Sequence, residues 1–308
     1  MSRLVVVDWG SSSLRAALLD GDGTIVDERA TDSGMLNIER IGFDAVFEST
    51  FADWMDVPNT RCLMAGMVGS RQGWVEADYV PCPCGIDDFI ARLRPVGAGA
   101  SRKGRDIAIV PGASCLHDGV RDVLRGEEVK ALGVLELLGA DSAVIVSPGT
   151  HCKWMTVENG RLGQFSTAMT GEVYALLRRH SILARAMPPE SEDALDGAAF
   201  DDGVHRALGG CNLLQSAFGV RTRSLFGELP AASLASYLSG LVIGEELRCR
   251  PLAGVDAVAL VGAPALTERY ARALAHCRVA ARSFDEGAVW RGLWMIDRLR
   301  REREGAPR

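Results

Sequence analysis

Two polar runs, each entered from an apolar stretch, hold the residue types that phosphoryl chemistry needs. In the first, Val5-Val6-Val7 leads into Asp8-Trp9-Gly10-Ser11-Ser12-Ser13, with Arg15 on the way out. Successive backbone N–H groups and hydroxyls in such a turn form a concavity for phosphate oxygens, and an acidic strand end can hold a hydrated Mg2+. The same residues would also make an ordinary Ser-rich hairpin in which Asp8 satisfies turn amides. Arg15 either touches a transferring phosphoryl group or pairs with a carboxylate. In the second run, Val144-Ile145-Val146 leads into Ser147-Pro148-Gly149-Thr150-His151-Cys152-Lys153. Gly149 permits close backbone approach, Thr150 offers a hydroxyl, Lys153 adds charge suited to a triphosphate, and His151 orients its neighbours. Gly149 follows Gly10 by 139 residues, and Gly160 follows Gly21 by the same interval. The equal spacing marks a repeated strand-turn-strand-turn-strand unit, with two related domains offering hairpins to a shared space. The G-x-x-x-x-G-K-[ST] phosphate loop is absent from the chain.

Two further clusters suit the acceptor. Gly66-Met67-Val68-Gly69-Ser70-Arg71-Gln72-Gly73-Trp74 follows a strand-like run. Arg71 could grip a carboxylate bidentately, with Ser70, Gln72 and Trp74 completing a pocket for a polyhydroxylated acid, or it could be a solvated loop arginine. In Arg125-Gly126-Glu127-Glu128, one carboxylate could take the proton of an attacking hydroxyl while the other caps the helix that follows.

The elements that must position these residues alternate. Strands are expected at 3–7, 14–19 and 24–31 as an antiparallel meander, with Asp20-Gly21-Asp22-Gly23 as a tight turn, then a helix at 43–55 and a strand at 61–67. The stretch 95–105 reads as a surface loop, 107–110 as a strand and 128–138 as a helix. The second meander covers 143–147, 153–158 and 161–167. Helices follow at 172–186, 200–217 and 231–250, then a strand at 257–261 and a helix at 265–276. This alternation is α/β, and the expected division is 1–125 and 126–308. Gly240 and Gly244, four apart on one helix face, suit close packing of two helices at the domain boundary.

Composition narrows the partners. The 308 residues are 47% hydrophobic and 24% charged, which is globular, and the formal charge of −6 argues against a general grip on nucleic acid or an anionic membrane. No apolar run is long enough to span a bilayer, and Met1-Ser2-Arg3 with its short apolar run is no secretory signal, so a cytoplasmic protein is expected. The eight cysteines show no C-x-x-C spacing, and Cys82-Pro83-Cys84 has no matching cluster, so reduced, packed thiols are expected.

Asp8 to Arg15, Gly66 to Trp74, Arg125 to Glu128, Ser147 to Trp154, Thr170-Gly171-Glu172 and Gly262-Ala263-Pro264 together resemble the 2-dehydro-3-deoxygalactonokinase family. Those enzymes are sugar kinases of the actin, hexokinase and heat-shock-ATPase superfamily. The resemblance implies two duplicated ribonuclease-H-like domains, the actin-like ATPase fold, around a central cleft that closes on MgATP and a sugar acid. It implies transfer of phosphate from ATP to the 6-hydroxyl of 2-dehydro-3-deoxy-D-galactonate. By position, Asp8 to Ser13, with Gly10, Ser11, Ser12 and Ser13 toward the phosphates, and Gly149 to Lys153 would be the phosphate turns, with Asp8 bearing on Mg2+ through water. Gly262 and Ala263 would lie by the adenosine, and Arg125 would join the substrate side. Related sugar kinases place an Asp base ahead of the second turn, where this chain has Glu127 and Glu128. A kinase for another sugar or keto-deoxy acid shares these turns, as does a non-catalytic nucleotide sensor of the same fold. A homodimer is compatible with the chain.

Overall fold

The computed structural model of the chain describes residues 3–38, 41–97, 104–117, 119–190 and 194–305. The first half runs β1 (Leu4–Trp9), β2 (Leu14–Leu19), β3 (Ile25–Thr31), α1 (Phe43–Met55), β4 (Arg61–Ala65), β5 (Tyr79–Pro81), β6 (Cys84–Gly85), α2 (Ile86–Ala91), β7 (Arg94–Pro95), β8 (Asp106–Ile109), β9 (Gly112–His117), β10 (Val120–Leu124) and α3 (Glu127–Leu138). The second runs β11 (Ala143–Ser147), β12 (Cys152–Glu158), β13 (Arg161–Ala168), α4 (Thr170–His180), α5 (Gly197–Leu208), α6 (Leu213–Ser216), α7 (Phe218–Leu225), α8 (Ala231–Arg248), β14 (Ala257–Val261), α9 (Pro264–His276), β15 (Ala280–Phe284) and α10 (Ala288–Gly305).

One sheet has the order β3-β2-β1-β4-β8-β7, with β1, β2 and β3 antiparallel and β1, β4 and β8 parallel. Another has the order β15-β14-β11-β12-β13-β6, and a small sheet joins β10, β9 and β5. The run β13-β12-β11-β14-β15 repeats β3-β2-β1-β4-β8, so the 139-residue repeat extends to the strand order and is carried by topology more than by side chains.

Contacts divide the chain into two compact units. Unit 1 comprises Met1–Ala143, Met155–Ser166 and Glu286–Arg308; unit 2 comprises Val144–Trp154 and Thr167–Asp285. This differs from a single cut after residue 125. Helix α3 belongs with α10, to which Glu136 and Arg291 tie it by two bonds of 2.5 and 2.6 Å, so the chain returns to unit 1 at its end. The core of unit 1 sets the apolar face of α1, Val46, Phe47, Phe51 and Trp54, against Val5, Val7 and Trp9 of β1. Unit 2 has two clusters, one around Phe200, Ile243, Leu260 and Tyr270 and one around Leu234, Leu238 and Leu241.

Several boundaries move. The helix expected over 172–186 ends at His180, and a 3-10 turn at Ile182–Ala186 follows, started by the Ser181 hydroxyl accepting the Leu183 N–H. The helix expected over 200–217 breaks at Gly209-Gly210, where Gly210 has φ 97°. Gly240 and Gly244 do pack closely, since a Cβ on Gly240 would stand 2.0 Å from Phe200 O, but the partner is α5 and both helices lie inside unit 2. Of the loop expected at 95–105, residues 98–103 lie outside the described residues. No helix among the described residues is long and apolar enough to cross a membrane.

Candidate functional site

In unit 1, β1 delivers Asp8 to the end of the sheet, and the register sets Arg15 of β2 directly opposite. Arg15 Nη2 donates to Asp8 Oδ2 at 2.7 Å and the guanidinium also pairs with Glu286, so the carboxylate-pairing role of Arg15 is realised. Asp8 keeps 13% of its side chain exposed, and its Oδ1 has no protein partner among the described residues. The turn that follows is closed by Gly10 N–H on Ser13 O at 2.9 Å. Met35 and Leu36 N–H groups occupy the carbonyls of Gly10 and Ser11, and Asn37 Nδ2 that of Ser12. Its carbonyls are thus turned inward on 35–37, while Ser11 is half-buried and Ser12 and Ser13 are exposed.

Gly66, at φ 96°, ends β4 hard against this turn: a Cβ there would stand 2.8 Å from Trp9 O and 3.3 Å from Asp8 Oδ1. A Cβ on Gly126 would in turn stand 3.3 Å from Gly66 Cα. Three segments far apart in sequence therefore meet around Gly66: the turn after β1, the end of β4 and the run Arg125 to Glu128. Glu128 is 1% exposed, and both its oxygens accept the Gly126 N–H, at 2.9 and 2.7 Å. Burial, with the neighbouring Glu127 charge, pushes its carboxyl up to about 8 against the pull of the Gly126 N–H and Arg125. Glu127 is half-buried, with Oε2 on the Arg125 N–H at 3.0 Å. Arg125 braces the loop after β4, donating to Ala77 O at 2.7 Å with its guanidinium 4.4 Å over the Tyr79 ring.

Within that loop Ser70 is buried, its hydroxyl 3.5 Å from Met35 Sδ, whereas Arg71 and Gln72 are exposed. Trp74 is half-buried in an aromatic group with Trp9 at 6.0 Å, Phe43 at 6.2 Å and Phe47 at 5.3 Å between centroids. It is foundation for the turn, a use that its place in a polar run does not reveal.

In unit 2, the turn from β11 to β12 is covered by the start of α4. A Cβ on Gly171 would stand 2.4 Å from Gly149 O and 2.9 Å from Thr150 Cα, so only glycine allows this approach. Glu172 N–H donates to Thr150 O at 3.0 Å, and His151 Nε2 lies 2.5 Å from the Glu172 carboxylate. Thr150 is exposed, whereas Lys153 is 8% exposed with Nζ donating to Thr167 Oγ1 at 2.7 Å. Gly262 ends β14 beside Pro148, its Cβ position 3.4 Å from Pro148 O, and Ala263 precedes α9 with Pro264 as the first helical residue.

Beside this turn a cavity of about 310 Å³ opens, lined in part by Gly149, Thr170 and Gly171. Tyr174, Val242, Ile243, Ala265, Leu266 and Tyr270 supply an apolar lining, and Ser239, Arg269 and Glu190 supply polar groups. A second cavity of about 450 Å³ shares Gly149, Gly171 and Leu266 and adds Thr150, Glu172, Arg179 and His180. Glu190, Ser239 and Arg269 belong to no sequence motif, because they are scattered singly, Ser239 and Arg269 in helices and Glu190 in the segment before α5. Glu286 carries no local signal either, since the alternation of elements gives no notice of β15 and α10, between which it lies. No group of three or more His, Cys, Asp or Glu among the described residues could hold a metal ion.

A family model described as 2-keto-3-deoxy-galactonokinase matches residues 8–296. The chain is 35% identical over 274 residues to a 2-dehydro-3-deoxygalactonokinase of Escherichia coli (strain K12), covering 88% of this chain and 89% of that one. A crystal structure from Sinorhizobium meliloti, provisionally assigned the same enzyme name, has a TM-score of 0.88 at 35% identity and covers 96% of this chain and 98% of its own. The activator of 2-hydroxyisocaproyl-CoA dehydratase from Clostridium difficile, solved with bound ADPNP, shares the fold, with a TM-score of 0.54 at 12% identity over 99% and 98% of the two chains. The fold is the α/β, two-unit actin-like ATPase fold that the resemblance implies. By the extent of these matches, the chain belongs to the 2-keto-3-deoxy-galactonokinase family.

Proposed function

We propose that this chain transfers phosphate from ATP to the 6-hydroxyl of 2-dehydro-3-deoxy-D-galactonate, giving the 6-phospho acid and ADP. The observation that carries the reading is the seating of Gly171 on Gly149 and Thr150, with Gly149 and Gly171 both lining the 310 Å³ cavity, in a member of this kinase family. A backbone-rich polar turn opening onto an apolar hollow of small-molecule size is what a nucleotide asks for, with phosphates at one end and the base at the other.

Unit 2 takes the nucleotide on this reading. Adenosine lies against Val242, Ile243 and Leu266, with Gly262 and Ala263 near it and Gly149 and Thr150 toward the phosphates. Lys153 contributes positive potential from behind the turn and His151 fixes Glu172. Unit 1 takes the acid and the transfer. Asp8, with one oxygen on Arg15 and one without a protein partner, fits an ion that keeps most of its own water, and so would hold Mg2+. When bound with ATP, Mg2+ offsets negative charge on the phosphates. Ser12 and Ser13 present hydroxyls beside Asp8. Glu127 receives the proton of the sugar hydroxyl, because Glu128 is enclosed with both oxygens on Gly126, and Arg71 and Gln72 meet the acid. Arg125, Ser70 and Trp74 shape the loop that presents them.

An ADP-release assay over a panel of sugar acids and neutral sugars tests the reading. Turnover highest with 2-dehydro-3-deoxygalactonate is the expected result. Faster release with an isomeric keto-deoxy acid or a neutral sugar would reassign the substrate, and ATP binding without release from any of them would leave a nucleotide sensor.

A further inference from the structure

Glu246 lies in α8 and is 7% exposed, one turn beyond Val242 and Ile243 of the 310 Å³ cavity. Side chains from three other elements converge on it, and the Cys152 thiol of β12 also bonds it. Trp154 Nε1, from β12 just beyond the second turn, donates to Oε1 at 2.5 Å. Tyr270 OH, from α9, donates to Oε2 at 2.7 Å, and the hydroxyl of Thr170, the first residue of α4, donates to the same oxygen. Thr170 and Tyr270 themselves line the cavity, and Thr170 immediately precedes the glycine seated on Gly149.

A buried carboxylate is costly unless it is fully hydrogen-bonded, and here it receives donors from β12, α4 and α9. Its plainer use would be to satisfy a polar group in an apolar core. The donors argue for more, because they come from the outgoing strand of the second turn, from the residue that starts the helix closing over that turn, and from the helix at the cavity wall. The geometry points to Glu246 as the positioning residue of the nucleotide site: it fixes α4 and α9 against β12 so that the Gly149–Gly171 seat and the apolar hollow keep one spacing. The inference rests on the nucleotide reading of unit 2 and extends it to a residue that touches no ligand.

The test uses the full chain, ADP titration by calorimetry and steady-state kinetics. Glu246→Gln keeps the size but turns an amide toward either the indole N–H or the two hydroxyls; it should weaken ADP binding and raise KM for ATP about tenfold, with KM for the sugar acid unchanged. Trp154→Phe removes a donor that does not line the cavity, and through its loss from Glu246 ADP Kd should rise about threefold. In Glu246→Gln with Trp154→Phe the amide no longer opposes an N–H, and ADP affinity should recover part of the loss. Should the single variant fail to fold, Trp154→Phe and the double variant still decide the matter. Equal rises in both KM values, or a lower Tm with unchanged ADP affinity, would overturn the role. Val242→Phe, which fills the cavity, separates the two layers. If it leaves ADP binding intact, the nucleotide reading and this inference fall together. If it abolishes binding while the Glu246 and Trp154 variants bind normally, only this inference fails.

Discussion

The turns after β1 and β11 are copies in topology and opposites in chemistry. Each leaves the first strand of a β-meander and each is overlooked by the glycine that ends the neighbouring parallel strand, Gly66 over the Trp9 carbonyl and Gly262 over that of Pro148. The position of Asp8 in the first copy is held by Ser147 in the second, which is buried. The first turn therefore carries a carboxylate, partnered by Arg15 and accompanied by the Glu127-Glu128 run. The second has no carboxylate at that position and has instead Gly171 seated on it and an apolar cavity beside it. The difference teaches that a repeated strand order supplies two similar backbone turns whose side chains diverge, and on the proposed reading unit 1 would handle charge and unit 2 the nucleotide.

That division breaks most sharply at Asp8. Asp8→Asn keeps the size and removes the charge, so kcat should fall about a hundredfold to a thousandfold while ADP affinity measured by calorimetry stays within about threefold. An unchanged kcat would take Asp8 out of the mechanism and the asymmetry with it. The mirror experiment is Gly171→Ala. The added methyl would meet Gly149 O at 2.4 Å, so the seat must open. KM for ATP should rise on the order of tenfold to fiftyfold with KM for the acid nearly constant. If both KM values rose together, the second turn would not be specific to the nucleotide.

Much of this division is legible in the amino-acid sequence. The polar turns stand out because β1 and β11 are apolar almost to their ends and then switch abruptly, and the bounds of α1 follow from Phe43, Phe47, Phe51 and Trp54, which keep a helical interval. The broken helices are legible in principle, since Ser181 and Gly209-Gly210 are stop signals that apolar spacing on either side obscures. Helix α10 hides its buried Trp290, Leu293 and Ile296 in front of an arginine-rich end, so its pattern fades along its length. What no local pattern can reveal is pairing at long range. Trp154 and Glu246 lie 92 residues apart, and Glu286 reaches Arg15 only because the chain re-enters unit 1 there.

A smaller effect separates the two sides of unit 1 itself. Arg71 is exposed on the loop that Arg125 braces, so truncating it should disturb the acid without disturbing the fold. Arg71→Ala should raise KM for the sugar acid about tenfold and leave KM for ATP and the Tm unchanged. Equal effects on the two substrates would remove the carboxylate contact from unit 1.

The mildest effect on turnover is expected at Glu128, whose burial contrasts with that of Glu246 in unit 2. Glu246 is met by side-chain donors from three elements, whereas Glu128 is met by backbone N–H groups, its own and that of Gly126, and burial carries its carboxyl from an ordinary 4.5 to about 8. The folded state thus binds a proton that the unfolded chain has lost. The associated stability is fully present below about pH 4.5, declines as pH rises toward 8, and is gone above it, at most a few kcal/mol over that window. Glu128→Gln cannot ionise and can still accept the Gly126 N–H. The difference in Tm between wild type and variant, followed from pH 5 to pH 9, should therefore move by several degrees in favour of the variant. Its kcat should stay within about threefold, while Glu127→Gln loses about a hundredfold. A flat Tm difference would mean that Glu128 is ionised throughout, and a collapse of kcat in Glu128→Gln alone would move the base from Glu127 into the buried position.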